Sequence, residues 1–402
     1  MSDDIKPVSK KNRIDVLDVI RGFAIFGILM ANIQSWSGYK FIPFEVIQRL
    51  SYYEYNDLLH NLFMLFIDTK FYALFSILFG IGFFLQFSKF REGQKEFIAT
   101  YRRRLGFLML FGAIHAFFWS GDILFIYGLI GFVFILFRNF SIKNLLLLSI
   151  FFYYAWIVKD IIIFNYFPQF IPHVTPTAYK TYADMSSVEI MQHFQQGTFL
   201  EVLHTNWHNL VWRYIDLLPA GRLSKVLALF IFGYYLMNID YFRNAAMSLR
   251  LTIMYWVSGV IISVAAGSIG GHMAQFASEW ADIEYKIVAI TGQILLALAY
   301  INTLTILYKK DVFKKMLYPL TFVGRMSFSN YIMHTVFGYL IFYPFFGNLF
   351  GKLSLLEIIS VAFVLYIMQI IVSWLWLKYF RFGPLEWVWR CLTYKKMFPM
   401  KK

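Results

Sequence analysis

Runs of about 20 largely apolar residues recur along this chain, separated by short polar stretches that carry most of its lysine and arginine. A helix of that length crosses the roughly 30 Å hydrocarbon core of a bilayer. In lipid every backbone N–H and C=O must be satisfied within the protein, which leaves only helices or closed barrels. Continuous runs, rather than short alternations, select helices. The fold expected is an all-α, polytopic transmembrane helix bundle. Composition agrees: 59% of the residues are hydrophobic and 15% charged, whereas soluble domains average nearer 45–50% and about 25%.

Ten spans are expected, near 15–36, 62–87, 105–120, 123–138, 144–166, 223–239, 251–270, 286–308, 324–345 and 356–378. Segments 1–14, 88–104, 138–143, 239–250, 309–317 and 378–402 hold 25 Lys and Arg, against 6 in 37–61, 167–222, 271–285 and 346–355. The positive-inside rule then puts both termini in the cytoplasm and the chain in the cell membrane. The domains expected are a cytoplasmic tail at 1–14, a bundle at 15–378 with an external loop at 167–222, and a basic amphipathic tail at 379–402. That loop contains a weakly helical stretch near Ser187–Asn209. The net charge of +14 therefore marks the face against anionic headgroups and calls for no nucleic-acid partner. No cleavable signal peptide is expected. The single cysteine, Cys391, excludes an intramolecular disulfide framework.

The first span, DVLDVIRGFAIFGILMANIQSW, carries Asp15, Asp18, Arg21 and Asn32. Charges inside a span are costly and usually face protein or a wet cavity. Asp18 and Arg21 sit three apart, where they can pair. Asn32 lies about three turns, roughly 16 Å, further across.

The second span is interrupted by Asp68 and Lys70. Residues 59–67 are expected along the outer interface, with the crossing proper starting near Lys70. Gly80 and Gly82 permit close packing. The third and fourth spans form a hairpin turning at Gly121-Asp122. His115 and Asp122 are seven apart, so on a helix they share a face about two turns apart. Lys159 and Asp160 form a further internal pair. In the ninth span Ser327, Asn330 and His334 make one polar stripe.

By depth, Asn32, Asp68, Lys70, His115 and Asp122 lie toward the outer face, with His60 just outside. Asp18, Arg21, Arg325, Asn330 and His334 lie toward the inner face and the middle. Acid, base, amide and imidazole groups reaching in from both sides suit a passage or a reaction chamber. Histidine is the natural general base near neutral pH. An aspartate can fix its tautomer, and an amide or cation can stabilise an oxyanion. The plainer alternative is that these groups hydrogen-bond across helices and hold the bundle together. Asp122 in particular could merely cap the fourth span. His204 and His208 in HTNWH lack the intervening glutamate of a zinc-protease motif. They read, with His173 and His193, as solvated loop histidines. No metal site is expected.

Four pieces resemble the YeiB-like family of bacterial membrane proteins, a domain of unknown function. They are RGFAIFGILMAN with KFYALFSILFGIGF, HAFFWSGDILFIYGLIG, GRMSFSNYIMHT and FGPLEWVWR, spread from residue 21 to 390. The family is grouped with transmembrane acyltransferases, including the lysosomal heparan glucosaminide acetyltransferase. The likeness there is an Arg-Gly followed by an Asn eleven residues after the Arg, here Arg21, Gly22 and Asn32. A broader class of sugar-modifying acyltransferases has His where this chain has Asn32. Asn32 therefore cannot be the base and at most orients or polarises. His60 ahead of Asp68 matches the heparan enzyme loosely, which leaves His60 and His115 as the alternatives for the base.

The resemblance implies an acyltransferase that draws an acyl group from cytoplasmic acyl-CoA and passes it to an acceptor at the outer face. Arg21 and Arg325 would bind donor phosphates, with Asp18, Lys70, Asn330 and His334 lining the path. His115 or His60 would be the base, Asp122 or Asp68 its orienter, and Asn32 the group polarising the acyl carbonyl. Acyl-CoA is then a substrate, with no tightly bound cofactor. The partners expected are the bilayer and a cell-surface or lipid-linked acceptor, and a homodimer is compatible with the chain. Two other readings stand beside this one. A transporter or exporter of a small or lipidic solute would use the same groups, although no inverted repeat is visible. A sensor or assembly partner would use them structurally.

Overall fold

The computed structural model of the protein describes residues 15–88, 94–166, 187–217, 220–244, 246, 248–276 and 279–402. The expected tail at 1–14, His173 and the first part of the external loop lie outside them. The described chain is built of helices. The first group is α1 (Asp15–Trp36), α2 (Phe44–Ile47), α3 (Asn56–Phe66), α4 (Lys70–Phe87), α5 (Gln94–Phe118), α6 (Leu124–Phe134) and α7 (Ile142–Tyr166). The segment between α7 and the next long helix folds as α8 (Ser187–Gln196) and α9 (Phe199–Asp216). Then come α10 (Arg222–Asn238), α11 (Leu249–Phe276), α12 (Glu279–Tyr308), α13 (Asp311–Leu317), α14 (Leu320–Arg325), α15 (Ser327–Phe342), α16 (Leu355–Tyr379) and α17 (Pro384–Tyr394).

Six segments among the described residues are long and apolar enough to cross a membrane: Asp15–Trp36, Tyr53–Phe87, Ile142–Ile162, Leu249–Gly270, Trp280–Tyr308 and Leu355–Tyr379. This is a multi-pass membrane protein. The break expected in the second segment is present. α3 ends at Phe66, Thr69 takes a left-handed φ of 64°, and α4 starts at Lys70. The Lys70 ammonium donates to the Met64 carbonyl at 2.5 Å, so it caps the last turn of α3. The span expected at 324–345 is two helices, because the chain bends at Met326. Arg325 thus ends α14, and Asn330 and His334 belong to the next helix. The stretch read as weakly helical is two firm helices. Thr198 starts the second through a capping box, with Glu201 accepting from the Thr198 N–H at 2.7 Å.

α1 is the hub, packing against α4, α12, α14, α15 and α16. Its crossing with α14 is made of backbone. A methyl at Gly22 would lie 2.2 Å from the Leu320 carbonyl oxygen, and one at Gly324 would lie 1.9 Å from that of Asp18. Gly80 on α4 and Gly233 on α10 make the same reciprocal contact, with the Phe230 and Ile77 carbonyls each 2.0 Å from the methyl position. Small residues let backbones approach where apolar burial gives no advantage over lipid. Gly82, read as a second packing glycine, faces the Arg21 side chain instead.

The tail helix α17 docks against α5 and the start of α15. Glu386 accepts from the Phe328 and Ser329 N–H groups at 2.8 and 3.0 Å and from the Ser329 hydroxyl at 2.5 Å. One side chain thereby satisfies two of the orphan donors at the start of α15. Burial pushes the Glu386 carboxyl above its ordinary value despite these bonds. The Trp389 indole donates to the Arg104 carbonyl at 2.9 Å, and the Arg104 guanidinium lies 3.6 Å from the centre of that ring.

Candidate functional site

The C-terminal end of α5 supplies the imidazole of one continuous polar line. α5 ends at Phe118, and the turn through Trp119 and Gly121 leads into α6. Asp122 therefore comes back onto His115 across a turn, and the two are not two turns apart on one helix as their spacing suggested. His115 Nδ1 lies 2.7 Å from Asp122 Oδ2. Asp122 Oδ1 accepts from the Phe125 N–H at 2.9 Å, so the same carboxylate also caps α6. On the other side of the ring, His115 Nε2 is 2.8 Å from Thr335 Oγ1 on α15.

A carboxylate only accepts, so Nδ1 carries the proton and Nε2 presents its lone pair to the Thr335 hydroxyl. This is the order acid, imidazole, hydroxyl that activates a hydroxyl in nucleophilic and general-base sites. Tyr331 sets its ring edge-on to His115 at 5.2 Å, and its hydroxyl accepts from the Ile123 N–H. His115, Asp122 and Thr335 are 5%, 2% and 5% exposed. The polar central chamber expected from the sequence is filled here by side chains packed on one another. A cavity of about 50 Å³ between α7, α10 and α12 is lined by Ser149, Tyr153 and Ile294, and by none of these groups.

His334 is adjacent to Thr335 and faces another way. Its Nε2 lies 3.1 Å from Gln369 Oε1 on α16. The Gln369 amide donates to the Asn330 carbonyl at 3.0 Å, and the Asn330 amide to Ser373 Oγ at 3.0 Å. The polar stripe of the ninth span is thus an α15–α16 seam.

Near the start of α1 Asp18 and Arg21 pair at 3.0 Å. Arg325 is half-buried at the end of α14. Two cations the sequence did not single out stand beside them. Arg104 and Arg390 lie in electrostatic reach of one another, and Arg21 in reach of Arg104. Burial pushes the Arg104 guanidinium down to about 10, and Arg390 and Arg21 press in the same direction.

The remaining candidates do not join the His115 line. His60 is exposed on α3 and Asp68 half-buried beyond its end. Asn32 is half-buried on α1. Asp160 binds both Lys159 and, at 2.9 Å, Lys286 on α12. The histidines read as loop groups sit on helices: His193 bonds Thr205 at 2.9 Å, and the His204 and His208 Nε2 atoms are 3.2 Å apart.

Also unread in the sequence is Asn206 on α9. It donates to the Ala116 and Phe117 carbonyls at 2.9 and 2.7 Å and accepts from the Ser120 N–H at 2.7 Å. One buried amide so closes the end of α5 and holds the turn that carries Asp122.

The class is that of all-helical, multi-pass membrane proteins with a buried Asp–His–Thr line. Comparison with known proteins narrows it. Residues 223–396 match the model of a family described as "Protein of unknown function (DUF418)". The YeiB-like resemblance holds over nearly the whole chain. An uncharacterized protein of Bacillus subtilis (strain 168), YxaH, is 29% identical, covering 99% of this chain and 98% of that one. Uncharacterized protein YeiB of Escherichia coli (strain K12) is 25% identical, covering 95% and 97%. An uncharacterized 39.9 kDa protein of the amylase 3' region in Bacillus acidopullulyticus is 25% identical, covering 98% and 97%. No solved structure matches.

Proposed function

We propose that this protein is a membrane acyltransferase that moves an acyl group from cytoplasmic acyl-CoA to an acceptor at the outer face. The observation that carries the reading is the Asp122–His115–Thr335 line. An imidazole held in one tautomer by a carboxylate and aimed at a hydroxyl is the arrangement proton removal requires. In the transfer His115 Nε2 takes the proton of an acceptor hydroxyl or amine brought to the Thr335 side. The acceptor oxygen or nitrogen bonds to the acyl carbon, the carbon–sulfur bond of the thioester breaks, and the His115 imidazolium returns its proton to the departing sulfur, which leaves as the thiol. Asp122 stabilises the imidazolium formed on the way. Asn32 is assigned to the acyl carbonyl, and Lys70 and Asp68 to the support of the α3–α4 break.

The inner cations Arg21 and Arg325, with Arg104 and Arg390, form the donor-phosphate face. The topology proposed is about ten spans with both termini cytoplasmic, in the cell membrane. It is supported by the arginines of α5 meeting α17, where Arg103 donates to the Thr393 carbonyl.

Calorimetry of acetyl-CoA and longer acyl-CoAs with purified protein tests the donor. Saturable binding, weakened roughly 10-fold or more in Arg21→Ala and Arg325→Ala, is expected for lost charge-assisted bonds. Absence of binding by folded protein would remove acyl-CoA as donor and put a transported solute in its place.

A further inference from the structure

α9 lies over the outer end of the α5–α6 hairpin, fastened there by the three hydrogen bonds of Asn206. Its inward stripe runs Val202, Asn206, Leu210 and then Arg213, spaced by helical turns. Phe125, whose N–H is bound by Asp122, packs its ring against Tyr214 at 5.9 Å. Arg213 is thereby carried to the border of the His115 line, within electrostatic reach of Asp122 and Tyr331.

The Arg213 guanidinium has no carboxylate of its own. Its Nε is enclosed and makes no hydrogen bond, and no ion pair involves it among the described residues. The acids nearby are already engaged. Asp216 pairs with Arg222 at 3.5 Å. Asp122 spends one oxygen on His115 and the other on the Phe125 N–H. A guanidinium whose Nε is covered and unbonded carries a desolvation cost that an oxyanion on its open side would offset. Burial pushes the Arg213 guanidinium down to about 10, and the neighbouring Arg222 presses the same way. Close by, the Tyr331 hydroxyl accepts from Ile123 and keeps its own proton to donate.

We infer that Arg213, with Tyr331, forms an oxyanion-binding site at the outer mouth of the His115–Asp122–Thr335 line, taking a carboxylate or phosphate group of the molecule that reacts or passes there. Planar guanidinium groups bind both oxyanions through paired N–H donors. Arg213 is only partly covered, so the site opens toward the outer side, where a lipid headgroup or a soluble acid would arrive. The substrate class rests on the transfer reading above. The anion site itself does not.

Full-length protein in uncharged detergent is titrated with inorganic phosphate and, separately, acetate by calorimetry. Inner arginines bind phosphate as well, so the site is read as a difference between variants. Arg213→Gln should lose one phosphate site, or weaken it at least roughly 10-fold, and Arg213→Lys should restore it in part. His115→Ala should keep it. Repeating the titration in nanodiscs of phosphatidylcholine with and without phosphatidylglycerol separates the sources. Competition by the anionic lipid assigns a headgroup, and its absence assigns a soluble anion. Equal stoichiometry and affinity in wild type, Arg213→Gln and Arg213→Lys would overturn the inference. Should acyl-CoA fail to bind while this difference persists, the anion site stands and the transfer reading falls.

Discussion

His115 and His334 are the same side chain in two neighbouring, fully packed settings, and their partners separate them. His115 has a carboxylate behind it and a hydroxyl in front. His334 has a neutral amide on Nε2 and nothing bonded at Nδ1. Gln369 must direct its oxygen at His334, because its nitrogen is committed to the Asn330 carbonyl. His334 Nε2 therefore carries the proton and serves as a donor between helices. A carboxylate steadies the positive ring that proton transfer creates, whereas an amide oxygen does much less. The first environment suits a base and the second a fastening between helices. Burial alone, equal in both, distinguishes nothing.

The largest effect expected is on the acidic side of that contrast. His115→Ala should lower single-turnover transfer from labelled acetyl-CoA by roughly 10²- to 10⁴-fold. Asp122→Asn should approach the same loss for a geometric reason. The Phe125 N–H needs an acceptor, so the new amide must direct its oxygen there and its NH₂ at His115 Nδ1. That forces the proton onto Nε2, the wrong tautomer for taking one from a hydroxyl. Thr335→Val keeps the shape and should cost only roughly 5- to 10-fold, the worth of one hydrogen bond. Full transfer by Asp122→Asn in folded protein would reduce this carboxylate to a helix cap.

Replacing His334 should have the opposite signature. His334→Ala leaves the Gln369 oxygen buried without a donor, which lowers stability by about 1–3 kcal/mol. Transfer per folded molecule should change less than about 3-fold, because no bond to the His115 line is lost. Thermal unfolding in detergent, read beside single-turnover transfer, checks both. A loss of transfer as deep as that of His115→Ala, at unchanged stability, would erase the contrast.

The contrast was half legible in the sequence. His115 and Asp122 share one hairpin, so a seven-residue spacing brought them to notice, although the contact itself depends on the turn after Phe118. Thr335 meets His115 across 220 residues and Asn206 meets Ala116 across 90. Neither distance leaves a mark on local pattern. Arg213 counted only among the cations of the 167–222 loop, because the helix that turns it inward is amphipathic rather than a continuous apolar run. The helices themselves were plainer: α1 falls at the expected 15–36 and α4 begins at the expected Lys70. Hydropathy gives the spans but not their place. α1 and α11 are nearly equally apolar, yet most of α1 and little of α11 is buried. The place of α1 follows from its neighbours, with Gly22 and Gly324 bringing it backbone to backbone against α14.

The smallest expected effect falls on the other histidine that could have been the base. His60 is exposed on α3, ahead of a break that Lys70 closes by capping Met64. An exposed imidazole has no carboxylate to select its tautomer and no hydroxyl in front of it. His60→Ala, a surface change, should move stability by less than about 0.5 kcal/mol and transfer by less than about 2-fold. The same single-turnover assay decides it. A loss near 100-fold would make His60 the base, with Asp68 as its orienter, and would demote the buried line to packing. That outcome would also require α3 to move onto the bundle during turnover, since as it stands the helix presents His60 to the outside.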